Sequence, residues 1–194
     1  MSEAGSDTAE RILDAAQRLA QTRGFNAFSY KDVAAAVGIK HPSIHHHFAT
    51  KAELGVAMVR RYRERFGAQL AAIRAGARGP REAIERYADL YRATIDTDER
   101  LCLCAMLSAE AGSLPEAIRA EVKGFFADNE RWLADLLAEG RTAGAFAFTG
   151  DPREEARLFL AVLEGGMILV RGAAEPARLD AVARRFLARL APVP

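Results

Sequence analysis

Two helix-start signals of the same form bracket the stretch Ser29–Lys51, SYKDVAAAVGIKHPSIHHHFATK, and what lies between them leaves room for two short helices and a tight turn. Ser29 has Asp32 three positions on, and Thr50 has Glu53 three positions on. In each pair the hydroxyl can accept an N–H of the first helical turn while the carboxylate reaches back to the cap. Between them Gly38 can take the positive φ that ends a helix, and Pro42 fits the first turn of the next, where its missing N–H has no partner to lose. The first helix carries Val33, Ala34 and Val37 inward, and Ile39 turns back to the core. The second, about His41–Phe48, keeps Ile44 and Phe48 inward and presents Ser43, His45, His46 and His47; with His41 these are all the histidines of the chain.

The remaining sequence is helical as well. Apolar residues recur at three and four positions rather than at two, and strand signals are nearly absent. Ser6 or Asp7 can cap a first helix running to about Arg23, with Ile12, Leu13, Ala16, Leu19 and Ala20 on one stripe. Phe25 and Phe28 follow as plugs of a small core. Thr50 opens a long helix to about Arg74, and the Gly-rich run Arg74–Pro80 ends that segment. Further helices are expected at about 81–95, 101–111 and 115–144. Asp151 as cap and Pro152 as first helical residue open the next, about 152–170, and Pro176 opens the last, to about Leu190. The expectation is an all-α fold of about nine helices.

Net charge is +1, so whole-chain charge does not favour nucleic acid. Locally, Lys51, Arg60, Arg61, Arg63, Arg65, Arg74 and Arg78 face only Glu53 and Glu64 between Lys51 and Pro80. This modest basic stripe reads equally well as a solvated helix face. The chain has no apolar run of the length that spans a bilayer, and its N-terminus is polar and acidic, so the expected setting is cytoplasmic, with no membrane partner. Two cysteines two positions apart cannot build a disulfide framework.

The first 60 or so residues resemble the DNA-binding domain of the TetR/AcrR family of bacterial repressors. AERILDAAQRLAQTRGFNAFS, KDVAAAVGI and SIHHHFATKAEL carry the resemblance. The last is the specific piece, with Ser43, Ile44, His45, His46, His47, Phe48, Lys51 and Glu53 at the family positions. His45 stands where Tyr is usual, Lys40 where a capping Ser or Thr is common, and His41 where Lys or Arg is common. The resemblance implies a three-helix helix-turn-helix DNA-binding domain at 1–54 and a helical effector-binding and dimerisation domain at 55–194. It implies as partners a double-stranded palindromic operator, a small-molecule or electrophile inducer and a second copy of the chain, with no enzymatic activity, no cofactor and no metal.

A major groove admits one helix and exposes a distinctive donor and acceptor pattern to it. Ser43, His45 and His41 are the candidates for base edges, with Lys40 and Pro42 beside them. The resemblance assigns His46 and His47 to phosphate or local packing, and Tyr30 and Lys31 can reach the DNA backbone. Lys51, at the positive N-terminus of its helix, is the best phosphate candidate. Histidine charges near neutrality, so tighter operator binding is expected at about pH 6 than at about pH 8. Other readings stand beside this one. His41 and His45 at i, i+4 suit a metal, although no third ligand lies in the segment; a metal- or thiol-dependent enzyme and a helical adaptor without DNA affinity are further alternatives.

Cys102 and Cys104 read either as small buried hydrophobes or as sensors. Thr97, Asp98 or Glu99 closes the preceding segment, which leaves Cys102 near a helix N-terminus with Arg100 beside it, and both features favour a thiolate. Side chains two apart on a helix project to different sides, so an adduct, a sulfenic acid or an interchain bond is the expected oxidised form. LCLCAMLSAEAGSLPEAIRAEV also resembles a TetR subgroup with a cysteine opening the sixth helix, some of whose members respond to electrophiles or oxidants through it. A conventional pocket is the competing mode of induction, for which Tyr87, Tyr91, Met106, Phe125, Phe126, Trp132, Phe159 and Met167 supply aromatic and adaptable side chains, and the sparse charge there suggests a neutral or weakly polar effector. For the dimer, Leu158, Val162, Gly165, Gly166 and Leu169 on the eighth helix pair with Val182, Phe186 and Leu190 on the ninth as half of a four-helix interface.

Overall fold

The computed structural model describes residues 3–96, 100–175 and 177–191, and every regular element among them is helical. In order these are α1 (Glu3–Arg23), α2 (Tyr30–Val37), α3 (His41–His47), α4 (Lys51–Gly76), α5 (Pro80–Asp96), α6 (Leu103–Ala109), a 3-10 turn (Ala111–Ser113), α7 (Glu116–Thr142), α8 (Pro152–Ala173) and α9 (Ala177–Arg189). The expected all-α architecture is present. Thr97, Asp98 and Glu99, expected ahead of Cys102, and Pro176, expected to open the last helix, lie outside the described residues. α1 starts a turn before the Ser6 or Asp7 cap, and α6 is shorter than the expected 101–111. No described helix is long and apolar enough to cross a membrane.

The helices sort into two compact units, Met1–Glu64 with Leu103–Phe125, and Arg65–Cys102 with Phe126–Pro194. The first unit therefore takes in a segment, α6 and the start of α7, that chain order alone does not group with the helix-turn-helix. Its core is the anticipated stripe of α1, with Ile12, Ala16 and Ala20 fully buried, packed with Phe25, Phe28, Val33, Ile44, Leu54 and Met58. Burying each of the larger aliphatic side chains contributes roughly 1.5–3 kcal/mol. Gly55 permits a close approach here: a Cβ would meet Ile118 Cδ1 at 2.4 Å and Phe25 Cζ at 2.9 Å. Arg61 is 8% exposed and makes ion pairs with Glu10 at 2.9 Å and Asp14 at 2.8 Å, tying α4 to α1. A buried arginine is tolerated because its charge is met by these carboxylates.

The second unit is built on aromatic packing. Tyr87 of α5 stacks on Trp132 of α7 at 5.4 Å, and Phe159 of α8 stacks on Phe186 of α9 at 4.5 Å. Asp151 accepts the Arg153 N–H with Pro152 in the first turn, the start expected for α8. On its outer side α8 exposes Leu158 (46%), Ile168 and Leu169 (68%), and α9 exposes Val182. Leu158, Val162, Val182 and Phe186 line a groove of about 620 Å³ there. Gly166 and Leu190 turn inward instead: Gly166 lies under Leu179, and Leu190 is 1% exposed with its carbonyl accepting from Ala147. Ile168 belongs to the exposed strip although the sequence did not single it out.

Candidate nucleic-acid interface and buried sensor site

The Ser29 cap forms as expected. Its hydroxyl accepts the Asp32 N–H and its own N–H donates to Asp32 Oδ2 at 2.7 Å. The Ser29 hydroxyl also donates to Asp32 Oδ2 at 2.6 Å, and this bond first, then that from the Ser29 N–H, holds the Asp32 carboxyl below the usual carboxylate range. Gly38 adopts φ 76°, and its N–H and that of Ile39 both reach the Ala34 carbonyl, which stops α2 and redirects the chain. Arg11 caps the same helix end by donating to the Val37 carbonyl at 2.7 Å. At the next start, Glu53 N–H donates to Thr50 Oγ1, while the Glu53 carboxylate reaches back to the Ala49 N–H, one residue before the expected cap.

On α3 only Ile44 is fully buried. Lys40, His41, Pro42, His45 and His46 are exposed, Ser43 and His47 are half-buried, and Lys31 is exposed on α2. Phe48 is half-buried rather than a core residue, because it is the cap that ends α3. His45 packs edge-on against Tyr30 at 4.9 Å and against His41 at 5.3 Å. Its Nδ1 lies 3.2 Å from the Ala49 carbonyl. A carbonyl only accepts, so Nδ1 carries the hydrogen and Nε2 is left as the atom for an outside partner. Among the described residues no group of three or more His, Cys, Asp or Glu is placed to hold a metal ion.

Two expected backbone contacts are corrected. Tyr30 is buried, and its hydroxyl donates to the Phe48 carbonyl at 2.9 Å, so it joins α2 to the end of α3 instead of reaching outward. Burial, reinforced by Glu53, pushes its pKa up to about 12. Lys51 donates to the Phe25 carbonyl at 2.6 Å and to the Phe28 carbonyl, with both rings against its ammonium. Burial lowers its pKa, an effect that Glu110 opposes. The ammonium thus fastens the connection between α1 and α2. The basic stripe is also largely neutralised: Arg60 pairs with Glu121, Arg61 with Glu10 and Asp14, Arg74 with Glu139, and Arg78 with Glu82.

Glu110, just past α6, accepts the N–H of Phe25 at 2.8 Å and that of Asn26 at 3.3 Å, and Asn26 Nδ2 donates to Ser113 Oγ at 2.7 Å. The α6 end therefore holds the same α1–α2 connection that Lys51 fastens. Sequence reading missed Glu110, whose only signal is an acidic residue just past an apolar helix.

In the second unit Tyr87, Tyr91, Trp132 and Phe159 come together, with Met167 buried nearby in α8 and Phe126 half-buried. Met106 and Phe125 belong to the first unit. A line of polar groups runs through these rings. Tyr87 donates to Asn129 Oδ1 at 2.9 Å, the Tyr87 and Tyr91 hydroxyls lie 3.0 Å apart, and Tyr91 donates to Glu164 Oε1 at 3.3 Å. The Cys102 thiol bonds to the same carboxyl. Glu164 Oε2 is buried without a hydrogen-bond partner. Desolvation first, then Cys102, holds the Glu164 carboxyl well above its usual range. Burial raises both phenols well above theirs.

Cys102 is 2% exposed and precedes α6 rather than lying in it, while Cys104 is fully buried within α6. Cys102 lies directly ahead of α6, near its N-terminus as expected, but buried with a carboxyl and two phenols around it. Glu164 and Asn129 were also missed, although a single carboxylate within LFLAVLEGGMILV is a legible signal.

Residues 12–58 match the family model of bacterial regulatory proteins of the tetR family, and residues 80–185 match that of the LmrA/YxaF-like transcriptional regulator C-terminal domain. A crystal structure of a TetR-family transcriptional regulator from Agrobacterium tumefaciens superposes with a TM-score of 0.94 at 33% identity, covering 97% of this chain and all of that one. The HTH-type transcriptional repressor NemR of Escherichia coli is 26% identical over 165 residues, covering 82% of this chain and 81% of NemR. The transcriptional regulator AcuR of Cereibacter sphaeroides is 26% identical over 176 residues, covering 84% and 76%. With a capped α2, a tight turn and an exposed α3 at its head, the chain belongs to the TetR family of DNA-binding transcriptional regulators.

Proposed function

We propose that the protein is a homodimeric repressor that grips a palindromic double-stranded operator through α3 and lets go when an electrophile modifies Cys102. Residues 1–54 supply the DNA-binding part and 55–194 the effector and dimerisation part. One observation carries the DNA-binding half: α3 exposes His41, Pro42, His45 and His46, with Lys40 exposed at its N-cap, while Ile44 faces the core. Ser43 and the outward Nε2 of His45 read base edges, and Lys31, Lys40, His46 and His47 take phosphates. Dimerisation through Leu158, Val162, Leu169 and Val182 sets two copies of α3 one helical turn of DNA apart.

The inducing half rests on the position of Cys102 directly ahead of α6, whose other end holds the α1–α2 connection through Glu110. An adduct at Cys102 displaces the start of α6, and the displacement reaches the helix-turn-helix through Glu110. Such an inducer works only to the extent that the modified protein favours the DNA-incompetent state. A non-covalent ligand is the second reading, favoured by the polar line from Asn129 to Glu164 inside an aromatic core.

A mobility shift on the DNA upstream of the protein's own coding region tests the DNA-binding half. Retarded DNA at low salt that is lost with Ser43→Ala plus Lys40→Ala is the expected result; no shift at any salt concentration sinks the reading.

A further inference from the structure

Glu164 has a role the helical frame does not require. Its Oε1 is occupied by Tyr91, its Oε2 is buried with no hydrogen-bond partner, and the Cys102 thiol lies against the same carboxyl. A polar atom left unmet in a core costs roughly 1–3 kcal/mol, so an orphan beside a nucleophile marks a place where a ligand atom completes the bonding. Tyr91 donates to Oε1, so Oε2 is the oxygen left to carry the proton of the acid form, which burial favours. That proton is a donor waiting for an acceptor.

We infer that Glu164 is the acid–base partner of Cys102 in addition of its thiol to small α,β-unsaturated carbonyl compounds. The inference rests on the proposal that an electrophile at Cys102 is the inducer, and it names the class. The carbonyl oxygen of the reagent accepts from Glu164 Oε2–H, which turns the β-carbon toward Cys102 Sγ. The C–S bond forms, the C=C π pair moves through the α-carbon onto oxygen, and oxygen takes the Glu164 proton to give an enol. The transient carboxylate, held by the Tyr91 hydroxyl, takes the thiol proton, so Glu164 ends neutral as it began. The enol then tautomerises to the saturated carbonyl adduct. Cys102 is 2% exposed, which restricts the proposed class to small reagents.

Intact-protein mass spectrometry of the full chain, with rates measured for methyl vinyl ketone and for iodoacetamide, tests this. Iodoacetamide alkylates by displacing iodide, and no carbonyl oxygen gains a proton, so it reports access to Cys102 alone. The expected result is a loss of at least about tenfold in the methyl vinyl ketone rate for Glu164→Gln, with iodoacetamide within about twofold of wild type. Glu164→Asp, which keeps a transferable proton, should recover part of the rate and guards against a folding defect in the glutamine variant. An unchanged methyl vinyl ketone rate in Glu164→Gln, or an equal fall with both reagents, overturns the role of Glu164 while leaving Cys102 as sensor. Absence of any adduct on Cys102 in the wild type overturns both.

Discussion

Glu110 Oε2 accepts the backbone N–H of Phe25 at 2.8 Å, joining two residues 85 positions apart. The same carboxylate meets the Asn26 N–H, and Lys51 binds the Phe25 carbonyl from below. The short connection from α1 to α2 is thus clamped by charged groups on α4 and just beyond α6. Glu110→Ala should lower stability by about 1–3 kcal/mol in urea unfolding, since two backbone donors lose a charged acceptor. The same variant should bind operator yet respond weakly to inducer; full induction with unchanged stability would contradict the clamp.

Lys51 offers a way to separate fold from DNA contact. Its ammonium is engaged within the protein, so Lys51→Met should lower stability by about 1–3 kcal/mol and leave the slope of log affinity against log salt unchanged. Lys31→Ala and Lys40→Ala should each reduce that slope by about 1 with little effect on stability. A slope that falls with Lys51→Met would return Lys51 to the phosphate backbone.

Burial holds the Glu164 carboxyl well above its ordinary value of 4.5, and this sets a pH dependence. Folding favours the protonated form. Relative to a group that cannot ionise, Glu164 costs nothing below the unfolded value. As pH rises above it, the unfolded chain gains by ionising and the native state loses up to about 1.4 kcal/mol per pH unit until the folded carboxyl also ionises. Glu164→Gln has no proton to release. Its urea midpoint relative to wild type should therefore rise from pH 4 to pH 8; a gap independent of pH would show that the carboxyl is ionised in the fold.

Leu169 is 68% exposed and Leu158 46% exposed on α8. If this strip joins two copies, Leu169→Asp should sediment as a monomer at micromolar concentration and lose operator affinity, because two half-sites need two heads. A dimer that survives both Leu169→Asp and Leu158→Asp would move the interface elsewhere.

What the sequence revealed follows from how local each signal is. The Ser29 box, Gly38, Pro42 and Asp151 act within four residues of themselves, and each forms as read. Tyr30 and Lys51 were read by residue type and helix position, yet their side chains answer to Phe48 and to Phe25 and Phe28, partners that only the folded chain brings near. Glu110 was invisible for the same reason, whereas Glu164 stood out as the single carboxylate of LFLAVLEGGMILV and its partners did not. A carboxylate in a helical stretch reads as solvated surface until the fold places a backbone N–H or a thiol beside it. Gly166 and Leu190 fit the small-residue and apolar pattern of an interface, but that pattern is equally served by Leu179 and by the α9 end within one chain.

The central claim, that this regulator leaves its operator when Cys102 is modified, is tested most directly by fluorescence anisotropy on a labelled fragment of its own upstream region. Titrations would be made with and without prior exposure to methyl vinyl ketone, for the wild type and for Cys102→Ser. The account predicts equal affinity of the two untreated proteins, a loss of at least about tenfold for the treated wild type, and no loss for treated Cys102→Ser. Equal release of both treated proteins, or retention of both on the DNA, would contradict it.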